Sequence, residues 1–148
     1  MKITINTDNH FAETEISINC SKMSEDIEKL ISAIRMLDKK ITGQKEGRQH
    51  IIDVAEINYI ESVDKRTFLY TSVDVYECSL KLYELEAKLS GGDFLRASKN
   101  CLFNMNRILS IEADLDRRLI LTMEHDIKLG VSRQYAAAVK QKLEAYNE

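Results

Sequence analysis

The sequence predicts a mainly β fold of small antiparallel sheets with short helices, preceded by a small α+β extension at the amino terminus. After about residue 46, apolar side chains fall in many short segments rich in Val, Ile, Phe and Tyr, and turn sequences separate them, as is typical of strands. Before that point, one segment repeats apolar side chains at the spacing of a helical face. The 148 residues, 44% hydrophobic and 30% charged, suffice for one main core.

The amino-terminal extension is expected to contain strands and one helix. Two isoleucine pairs alternate with polar residues on either side of a polar connection, which predicts a hairpin or two short strands. These pairs are Ile3 with Ile5 and Ile16 with Ile18. A helix is predicted from about Ser24, a suitable N-cap followed by acidic residues, to Lys39. Its apolar face consists of Ile27, Leu30, Ile31, Ile34 and Leu37.

The boundary between the extension and the rest is predicted in a charged segment. Residues 39–49 contain two of the five glycines and many charges, a composition typical of a turn or linker. We therefore divide the chain into residues 1–45 and residues 46–148. Since residues 1–40 are too few to enclose a core, we expect the helix to pack on the two strands and the unit to serve in dimerisation or partner docking.

The middle of the chain predicts a meander of short antiparallel strands and a short helix. Ser79 is the expected cap of that helix, whose Leu82, Leu85 and Leu89 share one face, and Gly91–Gly92 is expected to end it. Strands are predicted at 51–52, 57–60, 68–70 and 73–78, with turns at 64–66 and 72–74.

The last third predicts more strands and a closing helix. After the segment from Phe94 to Met105, strands are expected at 108–111, 119–123 and 127–131, with a hairpin turn at 124–126. Ser132 is the expected cap of the final helix, and its buried face consists of Tyr135, Val139 and Leu143.

Charge is distributed unevenly along an acidic chain. The net charge of −3 and the pI of about 5.7 argue weakly against nucleic acid as a partner. From Phe94 to Arg107, however, the chain has basic and amide side chains and no acidic one. Arg and Lys neutralise phosphates or bond to guanine, and Asn can bond to adenine, so this segment is a candidate DNA contact. Its polar residues are Arg96, Ser98, Lys99, Asn100, Asn104, Asn106 and Arg107.

Several classes of protein are disfavoured. Cys20, Cys78 and Cys101 are odd in number and widely spaced, so reduced, mostly packed thiols are expected and no metal site. No nucleophile with a base, carboxylate pair or phosphate loop stands at a recognisable spacing, so we expect neither an enzyme nor a cofactor or small-molecule substrate. The lack of a long apolar run or signal peptide predicts a cytoplasmic protein.

Four blocks of sequence together resemble the LytTR family of bacterial DNA-binding domains. They are IxYIESVDKRTFLYT, VYECSLKLYELEAKL, FLRASKNCLFNMNRILSI and LGVSRQYAAAVKQKL, in the order and spacing of the family, and the resemblance extends from about Arg48 to Leu143. It implies small antiparallel sheets with short helices. It also implies that loops, in place of a recognition helix, reach successive major grooves of double-stranded DNA.

The resemblance implies three groups of DNA contacts. Lys65, Arg66 and Thr67 form the first, Lys99 and Asn100 the second, and Arg133, at the start of the last helix, the third. We expect Lys99, Asn100 and Arg133 to contact base edges. The residues expected on phosphates are Arg66, Arg96, Ser98, Arg107 and Gln134.

The sequence departs from the family at two of these positions. Many members have histidine where Ser98 stands and serine where Asn100 stands, so their base preference cannot be transferred. The family's domain commonly follows a receiver domain, but the roughly 45 preceding residues are too few for one. The chain therefore resembles stand-alone, response-regulator-like LytTR proteins, which often work with a small membrane protein that restrains them. We expect a homodimer.

Other interpretations remain for the same residues. A non-catalytic module could use the basic loop to bind an acidic protein. Arg96 could be a structural ion-pair partner, and Lys65 and Arg66 could be solvated turn charges. We expect Asn104 and Asn106 to support a turn more than to contact DNA.

Overall fold

The computed structural model describes residues 1–116 and 118–147. The helices are α1 (Glu25–Leu37), α2 (Leu82–Lys88) and α3 (Arg133–Ala145). The strands are β1 (Lys40–Lys45), β2 (Arg48–Asp53), β3 (Ile57–Val63), β4 (Arg66–Thr71), β5 (Val75–Cys78), β6 (Phe94–Ser98), β7 (Cys101–Asn104), β8 (Ile108–Ala113), β9 (Leu119–Met123) and β10 (Lys128–Val131). Single 3₁₀ turns lie at Val54–Glu56, Met105–Arg107 and Glu124–Asp126.

The strands form two antiparallel sheets. A seven-stranded sheet has the order β2-β1-β5-β4-β3-β7-β6, and a three-stranded sheet has the order β10-β9-β8. The predicted mainly β fold with short helices is therefore confirmed, including the meander and the carboxy-terminal strands. Strands separate the three helices from one another along the chain.

Two hydrophobic cores lie on opposite faces of the seven-stranded sheet. Ile60 of β3 and Leu102 of β7 face the first core with α2, whereas Tyr59 and Phe103 face the second core with the three-stranded sheet and α3. This alternation follows from the two-residue period of a strand. The first core also contains Ile41, Ile52, Val54, Ile57, Leu69, Cys78, Leu82, Leu85 and Leu89. The second also contains Ala97, Cys101, Met105, Leu119, Leu121, Met123, Val131 and Val139.

The short helix α2 begins later than its predicted cap. Its apolar face is buried as predicted, but Lys81, not Ser79, occupies the N-cap position, and the Lys81 N–H donates to the Glu84 carboxylate at 3.2 Å. Leu80 packs against the first core. The chain bends at Ser79 and Leu80 before the helix begins.

The predicted linker at residues 39–49 is wrong, because this segment forms most of a β hairpin. β1 and β2 pair along their whole length around a turn in which Glu46 and Gly47 have left-handed φ angles of 52° and 75°. A Cβ at Gly43 would lie 2.6 Å from the Tyr76 Cβ, so only glycine permits this approach of β1 to β5. β1 thus belongs to the main sheet, and the division at residue 45 stays a prediction.

The amino-terminal segment does not form the predicted strands. Residues 1–23 contain no strand, and a turn in which the Phe11 N–H donates to the Asp8 carbonyl at 3.3 Å lies between the isoleucine pairs. A lone two-stranded hairpin is marginal without a surface to pack on. The alternation of isoleucine with polar residues was therefore not enough to form a strand in this segment.

Helix α1 is confirmed, but its packing differs from the prediction. The Ser24 hydroxyl accepts the Ile27 N–H at 3.4 Å and caps the helix. The helix packs against the 3₁₀ turn at Val54–Glu56 and not on amino-terminal strands. Met36 packs against the first core, whereas Leu37, assigned to the buried face from the sequence, is exposed.

The carboxy-terminal helix α3 covers the second core as predicted. Ser132 is at the N-cap position, although its side chain makes no capping hydrogen bond. Val139 is buried, and Tyr135 and Leu143 are half-buried against the same core. In the described part of the chain, no helix is long and apolar enough to cross a membrane.

Candidate nucleic-acid interface

Two predicted contact turns lie side by side at one end of the seven-stranded sheet. β3 leads to the turn at Asp64–Lys65, and β6 leads to the turn at Lys99–Asn100. β3 pairs with β7, so the two turns are neighbours, and the Ser62 N–H donates to the Asn100 carbonyl at 2.8 Å. The sheet register therefore joins residues about 35 positions apart.

The start of α3 is attached to the same end. The Ser132 N–H donates to the Ala97 carbonyl of β6 at 2.7 Å, which places Arg133 and Gln134 beside the Lys99 turn. We call the surface formed by Lys65, Lys99, Asn100, Arg133 and Gln134 the recognition surface, and all five residues are exposed. The three contact groups expected from the family resemblance thus each have a member on one surface.

In the described part of the chain, no carboxylate pairs with the cations of the recognition surface. Lys65, Lys99 and Arg133 form no salt bridge with any residue that the structure describes. The first turn of α3 contains no acidic side chain to offset Arg133. A cation at a helix amino terminus opposes the helix dipole, so an anion at this position would relieve the repulsion. Phosphate or the acceptor edge of guanine would meet this need.

Arg66 and Thr67 are bound within the protein. The Arg66 guanidinium donates to both carboxylate oxygens of Glu77, at 2.9 and 2.7 Å, and lies over the Phe68 ring. The hydrogen bonds from Arg66 lower the pKa of Glu77, while the Arg66 side chain stays exposed. Thr67 is buried in β4, opposite Ser62.

Arg96 and Ser98 support the Lys99 turn from within. The Arg96 side chain is only 16% exposed, and its guanidinium donates to the Glu86 carboxylate and to the Lys99 carbonyl. The ion-pair alternative for Arg96 is therefore confirmed. The Ser98 hydroxyl accepts the Asn100 N–H at 3.2 Å. Both side chains fix the backbone that presents Lys99 and Asn100.

Arg107 lies at the opposite end of the sheet. β7 leads away from the recognition surface, and Arg107 follows it, donating to the Ala55 carbonyl at 3.0 Å and to the Glu124 carboxylate at 3.4 Å. The nearby asparagines are structural, as expected: Asn104 donates to the Ile57 carbonyl at 3.0 Å, and its side chain also accepts the Asn106 N–H at 3.0 Å. The structure does not bring Arg107 to the other predicted contacts.

Two further basic residues lie near the recognition surface. Lys81 follows β5, whose Cys78 pairs with Thr67 beside the β3–β4 turn. Arg118 precedes Leu119, which pairs with Val131 next to the start of α3. Both are exposed. Strand pairing brings both of them here, and the sequence analysis assigned a role to neither.

Neither metal nor thiol chemistry accompanies this surface. Across residues 1–116 and 118–147, no cluster of His, Cys, Asp and Glu could hold a metal ion. Burial raises the pKa of Cys78, and it raises the pKa of Cys101 to about 12, so both thiols are packed and protonated. Cys20 is exposed, so two of the three thiols are packed, in line with the expectation of mostly packed thiols.

Comparisons with known proteins agree with this geometry. The family model described as the LytTr DNA-binding domain matches residues 47–144. Proteins of Staphylococcus aureus strains NCTC 8325 and COL, each named an uncharacterised HTH-type transcriptional regulator, are 27% identical over 145 residues, which is 97% of this chain and 98% of theirs. A solved LytTr DNA-binding domain of a methyl-accepting/DNA response regulator from Bacillus cereus has the same fold, with a TM-score of 0.67, 23% identity, and coverage of 72% of this chain and 97% of that one.

Proposed function

Because the chain belongs to the LytTR DNA-binding domain family, we propose that it is a cytoplasmic transcriptional regulator that reads a specific double-stranded DNA sequence through loops. One observation carries the proposal. Lys65, Lys99 and Arg133 come from distant parts of the sequence, yet two backbone hydrogen bonds hold their segments on one surface, where no protein carboxylate neutralises them in the described chain. Unpaired cations on one surface favour a polyanionic partner.

In this fold, loops are the elements expected to contact the DNA bases. A helix-turn-helix needs two consecutive helices, and strands separate each pair of described helices here. We assign Lys99, Asn100 and Arg133 to base edges, because Arg and Lys pair with guanine and Asn with adenine. Lys65 and Gln134 at the rim, together with the exposed Arg66, would contact phosphates. Arg96 and Ser98 position the Lys99 turn.

We further propose that the regulator binds repeated sites as a homodimer. Reading successive major grooves requires sites about one helical turn apart, and two copies provide two recognition surfaces for them. The segment before β1 would supply the contact between copies. A small membrane protein that restrains the regulator is a further proposed partner.

Arg133→Ala tests the assignment of base contacts. We expect specific binding to weaken by about 1–3 kcal/mol, with relaxed preference at one base position. Genome-wide selection of bound fragments would first supply the operator. Affinity for the operator and for random duplex is then measured over a range of salt concentrations.

Lys140→Ala is the matched control, because Lys140 is an exposed cation on the same helix, about two turns further along. This variant should keep full specificity. Equal losses on operator and random DNA for Arg133→Ala would show that Arg133 does not read a base.

An acidic-protein binding module is the second candidate, because the exposed cations of the recognition surface would also suit an acidic protein surface. The same salt titration separates the two functions. A DNA regulator shows a steep salt slope and discriminates between sequences, whereas an acidic-protein binder shows neither on DNA.

A further inference from the structure

Residues 13–18 form an unpaired segment with the pattern of a strand. Glu13 and Glu15 alternate with Thr14, Ile16 and Ile18, so an extended backbone would separate an acidic face from an apolar face. Ile16 is 62% exposed and Ile18 is 37% exposed. Among described residues, the hydrogen bonds of segment 1–23 involve only Asp8, His10 and Phe11. Its own chain therefore leaves this segment without a partner.

The outer edge of β2 is a free strand edge of matching length. β2 is the last strand of the seven-stranded sheet and pairs only with β1, so the backbone groups on its other side lack a strand partner. It contains six residues, as does segment 13–18. Ile51 on one face is 74% exposed, and the other face carries Arg48 and His50.

The two surfaces are complementary face by face. In a parallel register with Glu13 beside Arg48 and Glu15 beside His50, Ile16 lies beside Ile51 and Ile18 lies beside Asp53. We propose that residues 13–18 of one copy add as a strand to the free edge of β2 in a second copy. The exchange is reciprocal, so it closes a symmetric dimer.

The other sheet edges fit this segment less well. β6 is covered by α3 and β10. β8 has Leu109, 67% exposed, but its one charged residue is Glu112, which pairs with Lys128 at 3.7 Å, and β8 has no basic side chain to attract Glu13 and Glu15. Charge therefore selects β2. The inference rests on the homodimer proposed above and names the contact that holds it.

Cross-linking between two tagged copies tests the contact. Both copies carry Cys20→Ser, because Cys20 is exposed, whereas Cys78 and Cys101 are buried. One copy also carries Ile16→Cys and the other Ile51→Cys. A short bismaleimide should join the two tags in a product of twice the chain mass. The matched partner with Leu109→Cys in place of Ile51→Cys should give none.

Three results would overturn the contact. These are equal cross-linking to Leu109→Cys, no cross-linked product between the Ile16→Cys and Ile51→Cys copies, and a monomeric mass in sedimentation. The experiment contains no DNA, so these results leave the DNA-reading proposal intact.

A charge reversal provides a second test that does not depend on cross-linking. Glu13→Lys with Glu15→Lys should weaken dimerisation about tenfold, because both new charges would face Arg48 and His50. Adding Arg48→Glu to the same chain should restore much of the affinity. An unchanged dimerisation constant for the double lysine variant would contradict the proposed pairing.

Discussion

Neighbouring cations near the recognition surface have different tasks. Arg96 is nearly enclosed, and its guanidinium joins the Glu86 carboxylate to the Lys99 carbonyl. Lys99, three residues later, is exposed and free of carboxylate partners in the described chain. The planar, multidentate guanidinium suits the positioning task, and the flexible ammonium suits a solvent-facing contact.

This difference predicts opposite effects for two single substitutions. Arg96→Ala should lower the free energy of unfolding by about 1–3 kcal/mol, because it removes charge-assisted hydrogen bonds from a mostly buried side chain. Lys99→Ala should change stability by no more than about 0.5 kcal/mol, the usual range at a surface position. Lys99→Ala should instead weaken binding to the operator. Urea unfolding and DNA titration measure the two quantities.

The variant Arg96→Lys serves as the control for charge. It keeps the cation but lacks the geometry to bond both acceptors, so it should resemble Arg96→Ala in stability. If Arg96→Lys restored both stability and DNA affinity, Arg96 would act through its charge and the positioning role would be wrong.

At the scale of elements, the turn between β3 and β4 combines strain with function. Asp64 and Lys65 have left-handed φ angles of 50° and 66°, as the tight turn of a two-residue hairpin requires. Glycine adopts this conformation without steric cost, whereas lysine does not. A cation at this position of the recognition surface therefore costs some stability.

Lys65→Gly should make the protein more stable and its DNA complex weaker. We expect a gain of about 0.5–1 kcal/mol in unfolding free energy from relief of the left-handed strain. We also expect the slope of log affinity against log salt concentration to fall by the amount that one phosphate contact contributes. Thermal unfolding and a salt titration on random duplex give both values.

Lys65→Ala separates these two effects. It removes the cation and keeps a Cβ in the left-handed turn, so binding should weaken as for Lys65→Gly without the gain in stability. An unchanged salt slope in both variants would mean that Lys65 does not contact phosphate.

The helices and strands differ in how well the sequence predicts them. Strands with a partner followed their apolar residues: β9 alternates buried and half-buried side chains, whereas the apolar run of β3 is buried on both faces. The alternation at residues 3–5 and 16–18 produced no strand, because alternation alone does not bring a segment to the edge of a sheet. The hairpin of β1 and β2 looked like a linker, because Gly43 is needed for close packing against Tyr76, a contact absent from local sequence.

The candidate site was predictable only in part, because the path of the strands decides which residues lie together. Lys99, Asn100 and Arg133 came from the family resemblance, and all three lie on the recognition surface. Arg107 is only eight positions from Lys99, yet the intervening β7 carries it to the other end of the sheet. Each strand residue advances the chain by about 3.3 Å, so proximity in sequence does not imply proximity in space.

At the scale of the whole molecule, one sheet couples two cores. β3 and β7 contribute side chains to both, so loss of either strand would expose both cores. A polar cluster also ties the two sheets together at the end opposite the recognition surface. There the Glu124 carboxylate accepts hydrogen bonds from Ser72 and Arg107, and Arg107 also donates to the Ala55 carbonyl. These shared elements should make the two cores unfold together.

Two native cysteines can report on this cooperativity, because each lies in a different core. Cys78 belongs to the first core and Cys101 to the second, and burial raises the pKa of both thiols, so each reacts slowly until its core opens. In a Cys20→Ser background, a pulse of thiol reagent at increasing urea concentrations followed by mass spectrometry measures the opening free energy at each site. Cooperative unfolding predicts equal values, whereas labelling of one cysteine at distinctly lower urea would show that its core opens separately.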